Sequence, residues 1–128
     1  MIIHVIVLII AFSLTLAACG STDEPEPSTG PDAARGEALY KKTAIGAASA
    51  PGCVTCHSLE VGVTLVGPPH AGLGSRAGVD EAFLRQSIVE PDAVVTENFT
   101  AGVMYQNYGS DLSEQQIDDL VAYLLTLK

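Results

Sequence analysis

Five residues could do the most specific chemistry in this chain: Cys53-Val54-Thr55-Cys56-His57, a C-x-x-C-H string. Two thiols three positions apart can each add to a vinyl group of one porphyrin. The adjacent imidazole is then carried beneath the ring, where its nitrogen binds iron. The string reads as a c-type haem attachment site, with Cys53 and Cys56 as covalent anchors of one haem c and His57 as an iron ligand. A disulfide or half of a zinc site would use the same cysteine spacing. A redox dithiol of the thioredoxin kind, however, wants a βαβ setting, and no strand pattern flanks the motif. A structural zinc site needs four ligands. The only other cysteine is Cys19.

Haem iron takes a second axial ligand, which must come from elsewhere. After the initiator the only methionine is Met104, 47 residues beyond His57. It sits in the stretch from Phe99 to Gly109, which reads as an irregular loop able to fold back over the open haem face. A lone methionine is commonly core filler, but no helical apolar stripe claims this one. The rival is His70, in Gly67-Pro68-Pro69-His70-Ala71-Gly72. Its short loop keeps it near the side of the ring that His57 occupies. The expected iron ligands are therefore His57 and Met104.

Three helices are expected to position these groups. Asp32 can cap a helix through Ala33 to Tyr40, with Lys41 and Lys42 near its end. A second starts near Asp80 and runs through Phe83, Leu84 and Ile88, and Pro91 stops it by restricting Glu90. The last begins with a capping-box pattern, Ser113 and Gln116. Its residues Ile117, Leu120, Val121, Leu124 and Leu127 recur at three- and four-residue spacing and make one apolar face. No stretch alternates in the manner of a strand, so the class is all-α. Aromatics make up 5% of the chain, which implies a thin core that a large apolar cofactor would complete.

The N-terminal part is of another kind. Met1 to Ala18 carries no acid, Lys or Arg, and Cys19 follows directly. Such a run can span a bilayer as a helix or serve as a secretory signal that ends in small residues. Leu16-Ala17-Ala18-Cys19 resembles the lipobox of bacterial lipoproteins, in which the cysteine is lipidated and becomes the new N-terminus. A cysteine that merely follows a signal is the third possibility. The first two place the rest of the chain on the extracytoplasmic face of the cell membrane, tethered to it. Gly20 to Pro31 is acidic and rich in Pro and Gly, a linker with nothing to bury. The expected division is thus residues 1–18 as signal peptide or membrane anchor, 19–31 as lipidated Cys19 and linker, and 32–128 as the folded domain. With 15 acidic residues against 6 basic and a formal charge of −9, nucleic acid is excluded as a partner, because phosphate binding needs a basic face.

From about Pro31 to Lys128 the chain resembles monohaem class I cytochromes c. Cys53, Cys56 and His57 match the attachment motif, and Met104 matches the distal ligand. Gly67-Pro68 is similar to the family's Gly-Pro pair, which implies that the Pro68 carbonyl accepts a hydrogen bond from the His57 imidazole. Gly36 and Tyr40 with Leu120 and Tyr123 resemble the packed pair of terminal helices. The stretch from Ser87 to Gly109 is similar to the haem domain fused to some bacterial cytochrome c oxidase subunits II, although Tyr105 stands where a proline commonly follows the ligand methionine. The resemblance implies a cytochrome c fold of three or more helices around one haem. The implied function is that of an electron carrier, not an enzyme, passing single electrons in a respiratory or related chain. Its partners would be redox proteins, and the acidic charge suits a basic docking surface. A haem-bearing subunit of a larger oxidoreductase is the alternative, as is a gas-binding sensor if Met104 is not a ligand.

Overall fold

The computed structural model describes residues 30–128. The expected leader, Cys19 and the linker up to residue 29 lie outside the described residues. Helix α1 spans Ala33–Tyr40, and its first turn is closed by the Asp32 carboxylate, which accepts the Arg35 N–H at 2.9 Å. Helix α2 spans Glu81–Val89, capped in the same way by Asp80, which accepts the Phe83 N–H at 2.8 Å. It stops one residue before the Glu90-Pro91 pair, since a residue preceding proline is pushed out of the helical region. After a short helix α3, Tyr108–Asp111, helix α4 spans Glu114–Thr126 with both bonds of the Ser113–Gln116 capping box formed. These caps satisfy amide groups that a helix N-terminus otherwise leaves without partners.

Two features go beyond the expected three helices. Ala44–Ile45 (β1) and Ala50–Pro51 (β2) pair antiparallel, Ala44 opposite Pro51 and Ile45 opposite Ala50. Two-residue strands carry no alternation signal. What holds this hairpin is α3, which bonds to both of its ends: at the turn the Ala47 N–H reaches the Asp111 carbonyl at 3.1 Å, and at the open end the Tyr108 hydroxyl donates to the Pro51 carbonyl. Helix α3 takes Tyr108 and Gly109 out of the expected irregular loop. Its one turn is fixed by burying Tyr108 against that hairpin.

Helices α1 and α4 cross at Gly36. A β-carbon placed there would lie 1.9 Å from the Asp119 carbonyl oxygen and 2.8 Å from the Tyr123 β-carbon. The crossing buries Tyr40, Ile117 and Leu120 completely, and the rings of Tyr40 and Tyr123 meet at 5.3 Å. Helix α2 is tied to α4 by Arg85, which pairs with Glu114 and Asp118, while Leu84 and Ile88 enter the core.

At the edge of the crossing sits a buried carboxylate, Asp119. It receives Arg35 Nε at 2.8 Å, a second Arg35 nitrogen at 2.8 Å, the Asp32 N–H at 2.8 Å and the Gln115 amide at 2.9 Å. Burial alone would raise the Asp119 pKa, but the hydrogen bonds from Arg35, Asp32 and Gln115 outweigh it and hold the carboxyl below its usual range. The same partners reach backward. The Gly30 carbonyl accepts from Arg35 and from Gln115 at 2.8 and 3.0 Å, so the last residues of the expected linker are fastened to the domain.

A group with a depressed folded pKa contributes stability above its unfolded value of about 3.9, and that stability is lost as pH falls through the folded value. Asp119→Ala is expected to lower the Tm by about 10 °C at pH 7, because the Asp32 amide and the Gln115 side chain lose their acceptor. Asp119→Asn should flatten the fall in Tm between pH 5 and the acid limit. An Asp119→Asn protein with the parent's acid slope would show that another carboxylate governs it.

Candidate functional site

The attachment motif lies on one tight turn. Cys53–Thr55 form a single 3-10 turn, in which the amides of Cys56 and His57 reach the Cys53 carbonyl at 3.1 and 2.9 Å. The turn puts both thiols and the imidazole on the wall of one cavity of about 690 Å³, within the range of cofactor sites. Burial pushes the Cys53 thiol up to about 11. The two cysteines are free, not joined in a disulfide.

His57 is 7% exposed, and its ring is fixed at several points. Its Nδ1 lies 2.8 Å from the Pro68 carbonyl. A carbonyl only accepts, so Nδ1 carries the proton and Nε2 keeps the lone pair that a metal requires. Burial lowers the His57 pKa below the ordinary histidine value, with the Pro68 bond working the other way, and the neutral ring is the metal-binding form. The Gly67 backbone presses on the same ring. A β-carbon at Gly67 would be 2.5 Å from His57 Cε1 and 2.8 Å from Nδ1. Glycine is thus required where the chain passes the imidazole, and the expected role of Pro68 is visible as a bond.

His70 stands on the same side. Its ring is stacked on that of His57, with centroids 4.0 Å apart and planes 15° from parallel. Its Nδ1 lies 3.1 Å from the Tyr40 hydroxyl, which also contacts the His57 carbonyl at 3.1 Å. Burial, with smaller pushes from His57 and Arg76, takes the His70 pKa down to about 3, so the ring is neutral.

Met104 reaches the cavity from the opposite end of the sequence. It is half-buried, lines the cavity with His57 and packs on the core. The loop that carries it is held by local bonds: the Gly102 N–H to the Asp92 carboxylate at 2.8 Å, the Gln106 amide to the Met104 carbonyl at 2.8 Å, and the Tyr105 hydroxyl to Asp111. Arg76 in the wall and Tyr40 behind it carry more than the sequence suggested. Arg76 is the one lysine or arginine in the lining among the described residues, and it braces the turn after Pro68 by donating to the carbonyls of Pro69 and Ala71 at 2.7 and 2.9 Å. Tyr40 serves the helix crossing and the histidine pair together. A lone cation in a glycine-rich loop is a weak signal, and nothing in the sequence joins Tyr40 to His70.

The residues fit a covalently held haem. Two thiols and a neutral imidazole share one turn, a thioether faces the same cavity, and the backbone beside the imidazole leaves no room for a methyl group. A small helical domain whose walls converge on such a cavity defines a c-type haem protein. The family comparison agrees: residues 33–128 match cytochrome c, three quarters of the chain, and the chain belongs to that family. The all-α cytochrome c fold, covalent haem c as cofactor and haem-based electron carriage follow from that membership. A comparison with curated proteins finds no match.

Proposed function

We propose that the chain is a membrane-tethered carrier that passes single electrons through a haem ligated by His57 and Met104, in a respiratory or related chain. The observation that carries this is the presence of His57, with Nε2 free, and Met104 on the walls of one cavity. His/Met ligation and burial raise the reduction potential of a haem, as a carrier needs. Two filled axial positions leave none for a substrate, which is why electron transfer and not turnover is assigned.

The geometry of His70 supports Met104 as the second ligand. Two imidazoles on opposite faces of an iron meet end to end, each nitrogen about 2 Å from a metal. His70 and His57 instead meet face to face. The haem supplies the redox chemistry. This chain's residues hold the His57 proton at Pro68, line the cavity with buried apolar side chains such as Leu84, Ile88 and Leu120, and offer Arg76 as the cation suited to the haem's carboxylates.

The reading extends to the class I, oxidase-subunit-like form with Cys19 as lipid anchor on the extracytoplasmic face. The Leu16-Ala17-Ala18-Cys19 sequence supports the anchor. Among the described residues no helix is long and apolar enough to cross a membrane. Val66, Val94, Val95 and Val103 are exposed on the cavity wall and suit an apolar contact with a redox partner, with the acidic remainder steering a basic one.

Redox titration of the purified haem protein with its spectrum recorded tests this reading. Expected are a low-spin ferric spectrum with the weak far-red band of thioether–iron ligation, a positive midpoint, and no carbon monoxide binding to the reduced form. A five-coordinate spectrum with ready carbon monoxide binding would instead assign a gas-binding sensor.

A further inference from the structure

His57, Tyr40 and His70 are linked by contacts that haem attachment does not require. The Tyr40 side chain is fully buried, and its single hydroxyl proton faces two neighbours at 3.1 Å, the His57 carbonyl and His70 Nδ1. A carbonyl can only accept, while a histidine nitrogen can do either. All three atoms are satisfied in one arrangement only: Tyr40 donates to the His57 carbonyl, and His70 Nδ1–H donates to the Tyr40 oxygen. His70 is thereby fixed in tautomer and rotation, and its ring lies flat on the His57 ring. Its backbone is pinned as well, by its N–H to the Ser58 carbonyl at 2.8 Å.

The Pro68 carbonyl holds one nitrogen of His57, which restrains the ring along the direction of that bond. Rotation of the imidazole plane about its metal-binding axis is opposed by what presses on the ring itself, the Gly67 backbone and the His70 face. We infer that His70, braced by Tyr40, is a positioning residue that sets the rotation of the axial His57 imidazole over the haem. This rests on His57 being an iron ligand. The pair also couples that rotation to the α1–α4 crossing, because Tyr40 is the side chain that packs against Tyr123.

The orientation of an axial imidazole plane decides how unpaired spin is spread over the porphyrin of a low-spin ferric haem. The proton resonances of the four ring methyl groups report it directly. The test compares these resonances in the ferric holoprotein with those of His70→Leu, Tyr40→Phe and the double variant. His70→Leu keeps the site apolar and filled but removes the flat brace. It is expected to change the order or the spread of the methyl shifts. Tyr40→Phe keeps the ring volume and removes only the hydroxyl link, and is expected to move the same resonances in the same sense by a smaller amount. The double variant should match His70→Leu, since residues in one linked unit do not add.

Wild-type methyl shifts in His70→Leu, whatever its Tm, would overturn the inference and leave His70 as packing. If His70→Leu fails to mature, the Tyr40→Phe spectrum decides, and its identity with the parent spectrum would be the adverse result. Failure of the underlying assignment looks different: His57→Ala would then retain the parent's low-spin ferric spectrum.

Discussion

Met104→Ala is expected to leave the haem attached and the fold intact while removing the far-red band and lowering the midpoint potential by roughly 200 mV, within the 0.8 V range that axial ligands span. Attachment survives because the thioethers come from Cys53 and Cys56, on a turn far from residue 104 in sequence. The fold survives because the loop is held through its backbone and through neighbours. Gly102 bonds to Asp92, Tyr105 to Asp111 and Tyr108 to Pro51, and none of these uses the Met104 side chain. On the proposed ligation the potential falls because loss of the thioether would open the iron to water, which stabilises the more highly charged ferric state. Carbon monoxide should then bind the reduced variant and not the parent. Met104→His would restore six-coordination at a potential still below the parent's. Potentiometric titration with absorption spectra checks all three results, and an unchanged band and midpoint in Met104→Ala would refute the ligand assignment.

Gly36→Ala is expected to lower the Tm of the holoprotein by about 15 °C or more, although in an exposed helix the same change stabilises by about 1 kcal/mol. The sign reverses because of what faces residue 36. The added methyl would meet the Asp119 carbonyl oxygen at 1.9 Å, its carbon at 2.5 Å and the Tyr123 β-carbon at 2.8 Å. Two of these are helix backbone and the third is fixed to it, so none can turn aside. Helices α1 and α4 must separate. With them go the Asp32–Asp119 bond and the Tyr40–Tyr123 contact. Overpacking of this kind costs about 1–3 kcal/mol or more. With the loosened crossing, a net loss of about 3 kcal/mol translates at roughly 4–8 °C per kcal/mol for a domain of this size. Thermal unfolding followed by helical circular dichroism provides the measurement. A Tm equal to or above the parent's would mean that the crossing yields more easily than its geometry implies.

The helices were legible because their ends are written locally. Asp32, Asp80 and the Ser113–Gln116 pair lie three residues from the amides they serve, and Pro91 acts on its immediate neighbour. Hence α1 and α2 begin and stop, and α4 begins, where the residues indicate, while α4 ends at Thr126 and leaves Leu127, expected on its apolar face, as an extended cap residue. The β1–β2 hairpin and α3 were not legible. Each is too short to show a period, and each is held by the other through Ala47–Asp111 and Tyr108–Pro51.

The site divides in the same way. Cys53, Cys56 and His57 are brought together by one turn of backbone, so their grouping is legible in five consecutive residues, and the structure places Met104, the methionine the sequence pointed to, on the wall of the same cavity. Only the tertiary structure decided that His70 stacks on His57, that Tyr40 joins the two, and that Asp119 gathers Arg35, Asp32 and Gln115. The physical reason is one of range. Caps and covalent attachment act over a few bonds along the chain, whereas a ring stack or a buried carboxylate depends on how closely two helices approach, and here that distance is fixed by the absence of a side chain at Gly36.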